Sequence, residues 1–416
     1  MCPLMRPLLL AALTIFSFGT FAAELPKGTP EDVGMSSERL ERITDAVQRH
    51  IDAGNVQGAV VGVARRGQVV YLQAHGKANV EKNIPMSTDS LFQMWSSTKP
   101  VLGVAAMMMI EQGLFKATDP VSKYIPEFEG IQVAVLRVPV DEDISPGYVP
   151  RDDIPEHRLI DTHRPLTIQD LLTHTGGIGG SGLGSALANI EWTRGEGETL
   201  ATLIPKYAAG PLDFQPGTRW AYSGTIGLDI VARIIEVVTK TPFNEFVHEN
   251  ILKPLNMKNT NWNVPESEQH RRVVAKNSRH GLPGNTTYFS GSWGLNSSVL
   301  DYLHFEQMLL NGGTLFGNRL LGPRTVEWMA SNHVGDLYVP KGTNKGFGFG
   351  FTVAVTLDPV IAKSARSAGA FGWLGAMGTT SWTDPKEDLV AVILIQQMST
   401  ELHHDVANAI REAIIE

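Results

Sequence analysis

The chain has 416 residues, 43% hydrophobic and 19% charged, with a formal net charge of −8. That is an ordinary globular composition and excludes a collagen, a coiled coil or a wholly disordered chain. With 35 basic against 43 acidic residues, and no basic grouping beyond pairs such as Arg65-Arg66 and Arg271-Arg272, it also argues against a nucleic-acid partner. Both arginine pairs read as solvated turns or helix faces.

Residues 1–23 read as a secretory signal peptide. Arg6 precedes an apolar run from Pro7 to Phe18, and the small pair Ala22-Ala23 stands before Glu24. The run is shorter than the roughly 20 residues of a membrane span, so no stable span is expected after cleavage. The implied location is secreted or periplasmic. The single cysteine, Cys2, falls inside this segment, which leaves the mature chain without disulfides. There is no HExxH and no cysteine pair, and His403-His404 falls in what reads as a surface helix. Neither a metal nor another cofactor is expected.

Ser37–Asp52 places Leu40, Ile43, Val47 and Ile51 at helical spacing, with a cap-type serine before it and Gly54 after. Gly58–Ala64 and Val69–Ala74 are β-branched runs joined at Arg66-Gly67, the pattern of a hairpin. An apolar helix follows over Thr98–Gln112 and stops at Gly113. Ile131–Arg164 is rich in Pro, Asp and Arg and reads as an irregular excursion or short hairpin walling a cleft. Helical patterns then dominate, at Thr225–Lys240, Phe243–Leu252 and Val299–Leu310. Strands return at Gly346–Val355, Thr379–Asp384 and Leu389–Gln396, and a helix over Leu402–Ile415 closes the chain.

This order predicts an α/β (α+β) fold: one antiparallel sheet built from both chain ends, flanked by helices, with a mainly helical lobe inserted. Residues 24–416 are expected to form one catalytic domain. Its sheet lobe covers about 24–115 and 312–416 and its helical lobe about 116–311, with a cleft between them.

The chemistry centres on Ser96-Ser97-Thr98-Lys99, an S-x-x-K at the opening of a buried helix. Residues three apart share a helix face, so the Lys99 amine falls beside the Ser96 hydroxyl. A serine hydroxyl needs a base, and a lysine serves as one when burial lowers its pKa. The free N–H groups at the helix start, that of Ser96 included, can hold a developing oxyanion. Alone, the four residues also fit a helix cap followed by a surface lysine. The surroundings, LFQMWSSTKPVLGVAAMMMIEQG, fit a buried helix better.

Several segments in order resemble the serine β-lactamases of class C, the D,D-peptidases and the family VIII carboxylesterases. These are the S-x-x-K, LTIQDLLTHTGGI (Leu166–Ile178), Tyr222-Ser223-Gly224, GSWGLNSSVLDYLHFEQML (Gly291–Leu309) and GFGFGF (Gly346–Phe351), and the likeness runs from about Ser37 to the C-terminus. The resemblance implies Tyr222 as proton carrier beside Ser96 and Lys99. It implies the Ala376 amide as second oxyanion donor, with Trp373, Gly375 and Gly224 lining the substrate site. Two departures matter. Trp373-Leu374-Gly375 stands where β-lactamases have Lys-Thr-Gly, which removes the cation for a substrate carboxylate. Gly224 stands where they have Asn, which removes a side chain for a substrate amide.

Both departures favour a carboxylesterase on short acyl esters, working through an acyl-enzyme. The alternatives are a β-lactamase, D-aminopeptidase or D,D-peptidase and, from another class, a non-catalytic penicillin-binding or envelope scaffold protein. The expected partner is a small ester or amide; oligomeric state is not legible. His174 reads as structural, and the absence of a G-x-S-x-G elbow disfavours an α/β-hydrolase triad.

Overall fold

The apolar run Gly58–Arg65 (β1) is buried along its whole length and organises the molecule. The computed structural model describes residues 24–137, 144–189, 197–276, 284–339 and 344–416; the segment read as a secretory signal lies outside them. β1 turns back into Gln68–Asn79 (β2) through Arg66 and Gly67, at φ 49° and 75°. Two left-handed residues match the twist of a tight hairpin. The remaining strands are Ile84–Pro85 (β3), Phe347–Phe349 (β4), Ala354–Thr356 (β5), Phe371–Leu374 (β6), Thr380–Asp384 (β7) and Leu389–Leu394 (β8).

They form an eight-stranded antiparallel sheet in the order β4-β5-β6-β7-β8-β1-β2-β3. β1 pairs β8 with Val60 opposite Leu394 and Arg65 opposite Leu389. The sheet is therefore assembled from both chain ends, as the sequence predicts.

The helices that carry or support the site are Ser37–Asp52 (α1), Lys99–Glu111 (α2), Ile226–Thr239 (α3), Val299–Leu310 (α4) and Thr400–Ala413 (α5). Side chains alternate across a strand, so β1 feeds two cores. Val61 and Val63, with Ala391 and Ile393 of β8, pack beneath α1 and α5. Val60 and Ala64, with Val390, Val392 and Leu394, join the larger core that includes α2, α3 and α4. Gly62 lets α4 close on the sheet: a Cβ there would lie 2.5 Å from Val299 Cγ1. α2 is buried from Lys99 through Met109, as a helix that is apolar all round must be.

Some expectations change. The run Gly346–Val355, read as one strand, is two: β4 and β5 joined by a turn with Thr352 at φ 67°. The Phe351 and Thr352 amides donate to the Met329 and Leu172 carbonyls (2.9 and 3.0 Å), leaving the ladder to grip neighbouring segments. Ile131–Arg164 holds the hairpin Gln132–Leu136 with His157–Asp161. Arg65 and Arg272 are buried, contrary to their reading as solvated groups. The Arg65 guanidinium donates to the carbonyls of Val33, Gly34, Glu387 and Glu416 (2.8–2.9 Å), which makes its burial tolerable.

Candidate active site

α2 falls within a residue of its expected start near Thr98. A 3₁₀ turn, Trp95–Thr98, precedes it and the α-helix proper starts at Lys99. Ser96 therefore sits on the tighter entry turn, half-buried, with Lys99 fully buried directly behind it. The turn is anchored from three sides. Tyr302 of α4 donates to the Ser97 carbonyl (2.5 Å), the Ser97 hydroxyl meets Thr379 Oγ1 (3.0 Å), and Thr379 Oγ1 donates to the Met94 carbonyl (2.9 Å).

The Lys99 Nζ lies 3.2 Å from Ser96 Oγ, 2.8 Å from the Gly224 carbonyl and 2.9 Å from the Ser292 carbonyl. Burial pulls its pKa below the usual lysine value, against the smaller opposing influences of Tyr222 and Asp229. The Nζ donates to all three oxygens, and once it gives up a proton its lone pair faces the Ser96 hydroxyl while two hydrogens still serve the carbonyls.

Tyr222 lies 126 residues along the chain from Ser96, yet its hydroxyl donates to Ser96 Oγ at 2.7 Å. Its ring is held 5.0 Å from Lys99 Nζ. His174 fixes this segment from below: its carbonyl accepts from Ala221 N (3.0 Å) and its Nδ1 from Ser223 N (3.3 Å). Those are the residues on either side of Tyr222. His174 is itself left-handed, at φ 58°, and packs edge-on to the Tyr222 ring at 4.9 Å. Burial, with the Lys99 charge adding to it, drives the imidazole well below its ordinary pKa. It is a neutral positioning residue, in keeping with its structural reading from sequence.

The other residues named from sequence surround this cluster. Gly375 packs on the entry turn: a Cβ there would lie 2.4 Å from Met94 O and 3.2 Å from Trp95 Cβ. Ala376 follows in an exposed turn, and neither its N–H nor that of Ser96 has a hydrogen-bond partner among the described residues. Free backbone amides of this kind are what an oxyanion hole draws on. Trp373 sets its ring 5.7 Å from that of Tyr222 and 5.2 Å from that of Phe349. Gly224 gives its carbonyl to Lys99, and a Cβ on it would meet nothing within 4 Å.

Sequence reasoning missed four contributors, the first being Ser292, whose carbonyl accepts from Lys99. Asp229 of α3 is fully buried and accepts from Tyr288 Oη (2.8 Å), Ser290 Oγ (2.6 Å) and Ser292 N (3.1 Å). It thereby places the carbonyl of Ser292 on Lys99. Its signal was an acid on the apolar face of GLDIVARIIE. Trp95 and Trp293 are the others; their rings stack 6.3 Å apart. Among the described residues no group of three His, Cys, Asp or Glu is placed to hold a metal. No helix among them is long and apolar enough to cross a membrane.

Known proteins resemble this chain in sequence and fold. A family model described as Beta-lactamase matches residues 43–414. Esterase EstB of Burkholderia gladioli is 27% identical over 430 residues, covering 95% of this chain and 99% of its own. A protein of Escherichia coli K12, provisionally named a D-alanyl-D-alanine carboxypeptidase, is 25% identical over 443 residues, covering 97% and 92%. The solved structure of EstCE1, described as a hydrolase with promiscuous acyltransferase activity, superposes with a TM-score of 0.73 at 24% identity. It covers 90% of this chain and 99% of its own. With the family model spanning nearly all of the described chain, this protein belongs to the beta-lactamase family and is a serine hydrolase.

Proposed function

We propose that this chain is a carboxylesterase acting on short acyl esters through a Ser96 acyl-enzyme. The observation that carries this reading is the contact of Ser96 Oγ with both Tyr222 Oη and Lys99 Nζ, at 2.7 and 3.2 Å, beside an uncharged wall at Trp373-Leu374-Gly375. Ser96 attacks the ester carbonyl and its proton passes to the neutral Lys99 amine. The carbonyl oxygen becomes an oxyanion held by the Ser96 and Ala376 amides. The Tyr222 hydroxyl protonates the departing alkoxide and is replenished from Lys99. Water then attacks the acyl-enzyme, its proton passing through the Tyr222 hydroxyl to the neutral Lys99 amine; the tetrahedral intermediate collapses to the acid, and Lys99 returns that proton to the Ser96 oxygen.

The amidase readings share this machinery. They fit less well because a carboxylated amide substrate would find tryptophan where a cation is wanted, and glycine where an amide-binding side chain is wanted. A non-catalytic relative would be expected to have lost one of the three polar groups. We further read the chain as secreted or periplasmic, supported by its first 23 residues; cell fractionation with N-terminal sequencing tests this.

The test of function is intact-mass spectrometry with a fluorophosphonate probe on wild type and Ser96→Ala, with nitrophenyl acetate, nitrophenyl butyrate and nitrocefin turnover on the same samples. One adduct lost in the variant, with ester turnover far above nitrocefin turnover, is the expected result. Equal labelling of both proteins would overturn the nucleophile, and nitrocefin turnover matching that of the butyrate would overturn the ester preference.

A further inference from the structure

We propose that Trp95 and Trp293 form a stacking platform that selects esters bearing an aromatic ring; this rests on the carboxylesterase reading above. The two indoles stand 6.3 Å apart with 21° between their planes, an offset stack. Each is attached one residue from the reacting groups. Trp95 immediately precedes Ser96, and Trp293 follows Ser292, whose carbonyl accepts from Lys99 Nζ at 2.9 Å. A second aromatic set begins at the Ser96 hydroxyl itself. Tyr222 donates to Ser96 Oγ, Trp373 lies 5.7 Å from the Tyr222 ring, and Trp220 lies 6.2 Å from it, nearly parallel. Both aromatic sets thus adjoin the Ser96-Lys99 pair, one through its chain neighbours and the other through the Tyr222 contact.

Two observations separate a binding platform from ordinary packing. The large core aromatics Phe92, Phe115, Phe349 and Tyr302 are wholly buried, whereas Trp95 and Trp293 are only half-buried. Their Nε1 atoms are nevertheless buried and without a partner, so the accessible remainder excludes the N–H edge. What they present to a ligand is apolar ring surface, which recognises a planar apolar group rather than a hydrogen-bonding one. In addition, Trp95 holds φ 49°, a left-handed backbone that is costly for a bulky residue and easy for glycine. Strain of this kind clusters at functional sites, and here it lies on the turn that carries Ser96.

The chemistry does not say whether the ring lies on the alcohol or the acyl side, and the test separates the two. Wild type, Trp293→Ala and Trp293→Phe are assayed on 2-naphthyl acetate (ring on the alcohol), ethyl 2-naphthoate (ring on the acid) and ethyl acetate (no ring). The ratio of kcat/KM for one naphthyl ester to that for ethyl acetate should fall about tenfold in Trp293→Ala, chiefly through KM, the scale of one lost aromatic contact. Phe should restore most of it. Ratios unchanged in Trp293→Ala, or a loss shared equally by all three esters, would overturn the platform. Calorimetric titration of 2-naphthol into the same proteins needs no reaction, so it distinguishes this proposal from the activity it rests on. Weaker binding to Trp293→Ala supports the platform even if no ester is turned over; equal binding to both, or none to wild type, sinks it. Absent ester turnover in a wild type that still binds naphthol would instead count against the esterase reading.

Discussion

Glu306 offers a test in which stability should fall as pH rises, opposite to the usual carboxylate. It lies on α4, fully buried, and accepts from Ser381 Oγ (2.5 Å) and Thr383 Oγ1 (2.6 Å) of β7. Burial pushes its pKa from 4.5 up to about 7, outweighing the two hydroxyls and the Arg366 charge. Between those values the folded protein keeps a proton that the unfolded chain has released. Folding stability should therefore decline by about 1.4 kcal/mol per pH unit, or roughly 3 kcal/mol across the window, and stay level above it. Buried and half-buried histidines pull the other way. Burial holds His174, His304, His333 and His403 below 6.5, so each adds stability at high pH that is lost as pH falls through its depressed value. The wild-type profile mixes both signs. Urea unfolding of wild type and Glu306→Gln from pH 4 to 8.5 isolates the carboxyl, because the glutamine does not titrate. The stability of wild type relative to the variant should drop by about 3 kcal/mol between pH 4.5 and 7. A difference that is flat, or that grows with pH, would refute the claim that burial dominates at Glu306.

The remaining expectations concern the site. Tyr222→Phe removes only a hydroxyl and should lower kcat/KM for nitrophenyl butyrate by about 10²- to 10⁴-fold with unchanged unfolding, so a loss under tenfold would remove Tyr222 from proton transfer. As the proposed base Lys99 must be deprotonated, and burial lowers its pKa below the usual lysine value, so activity should fall as pH drops through that lowered pKa. Lys99→Arg, always charged, should be inactive at every pH, and an active arginine variant would exclude lysine as base. Asp229→Ala leaves the Tyr288, Ser290 and Ser292 donors without their carboxylate. It should cost about 3 kcal/mol or more in urea unfolding and slow fluorophosphonate labelling of Ser96; normal labelling would mean the Ser292 carbonyl is placed by other contacts.

What could be read from the sequence was whatever depends on short spacings. Leu40, Ile43 and Val47 declare one face of α1, and the turn at Arg66-Gly67 declares the β1–β2 hairpin. Ser96 and Lys99 meet because three residues bring them round one turn. Tyr222 carries no such local signature. Its contact with Ser96 spans 126 residues, and only resemblance to a known order of motifs named it. Ser292 and Asp229 were invisible for a further reason: the first acts through a backbone carbonyl that every residue has, the second through partners on another segment. The turn at Thr352 failed for the same cause. Its alternating sequence satisfies a strand, but the amides of Phe351 and Thr352 find better-placed acceptors in Met329 and Leu172. The environment that lowers the pKa of Lys99 is likewise nowhere in the S-x-x-K. It comes from the apolar length of α2, which buries the amine, and from two carbonyls on separate loops. A four-residue motif can name the reacting atoms, but the protonation state that makes them react belongs to the tertiary structure.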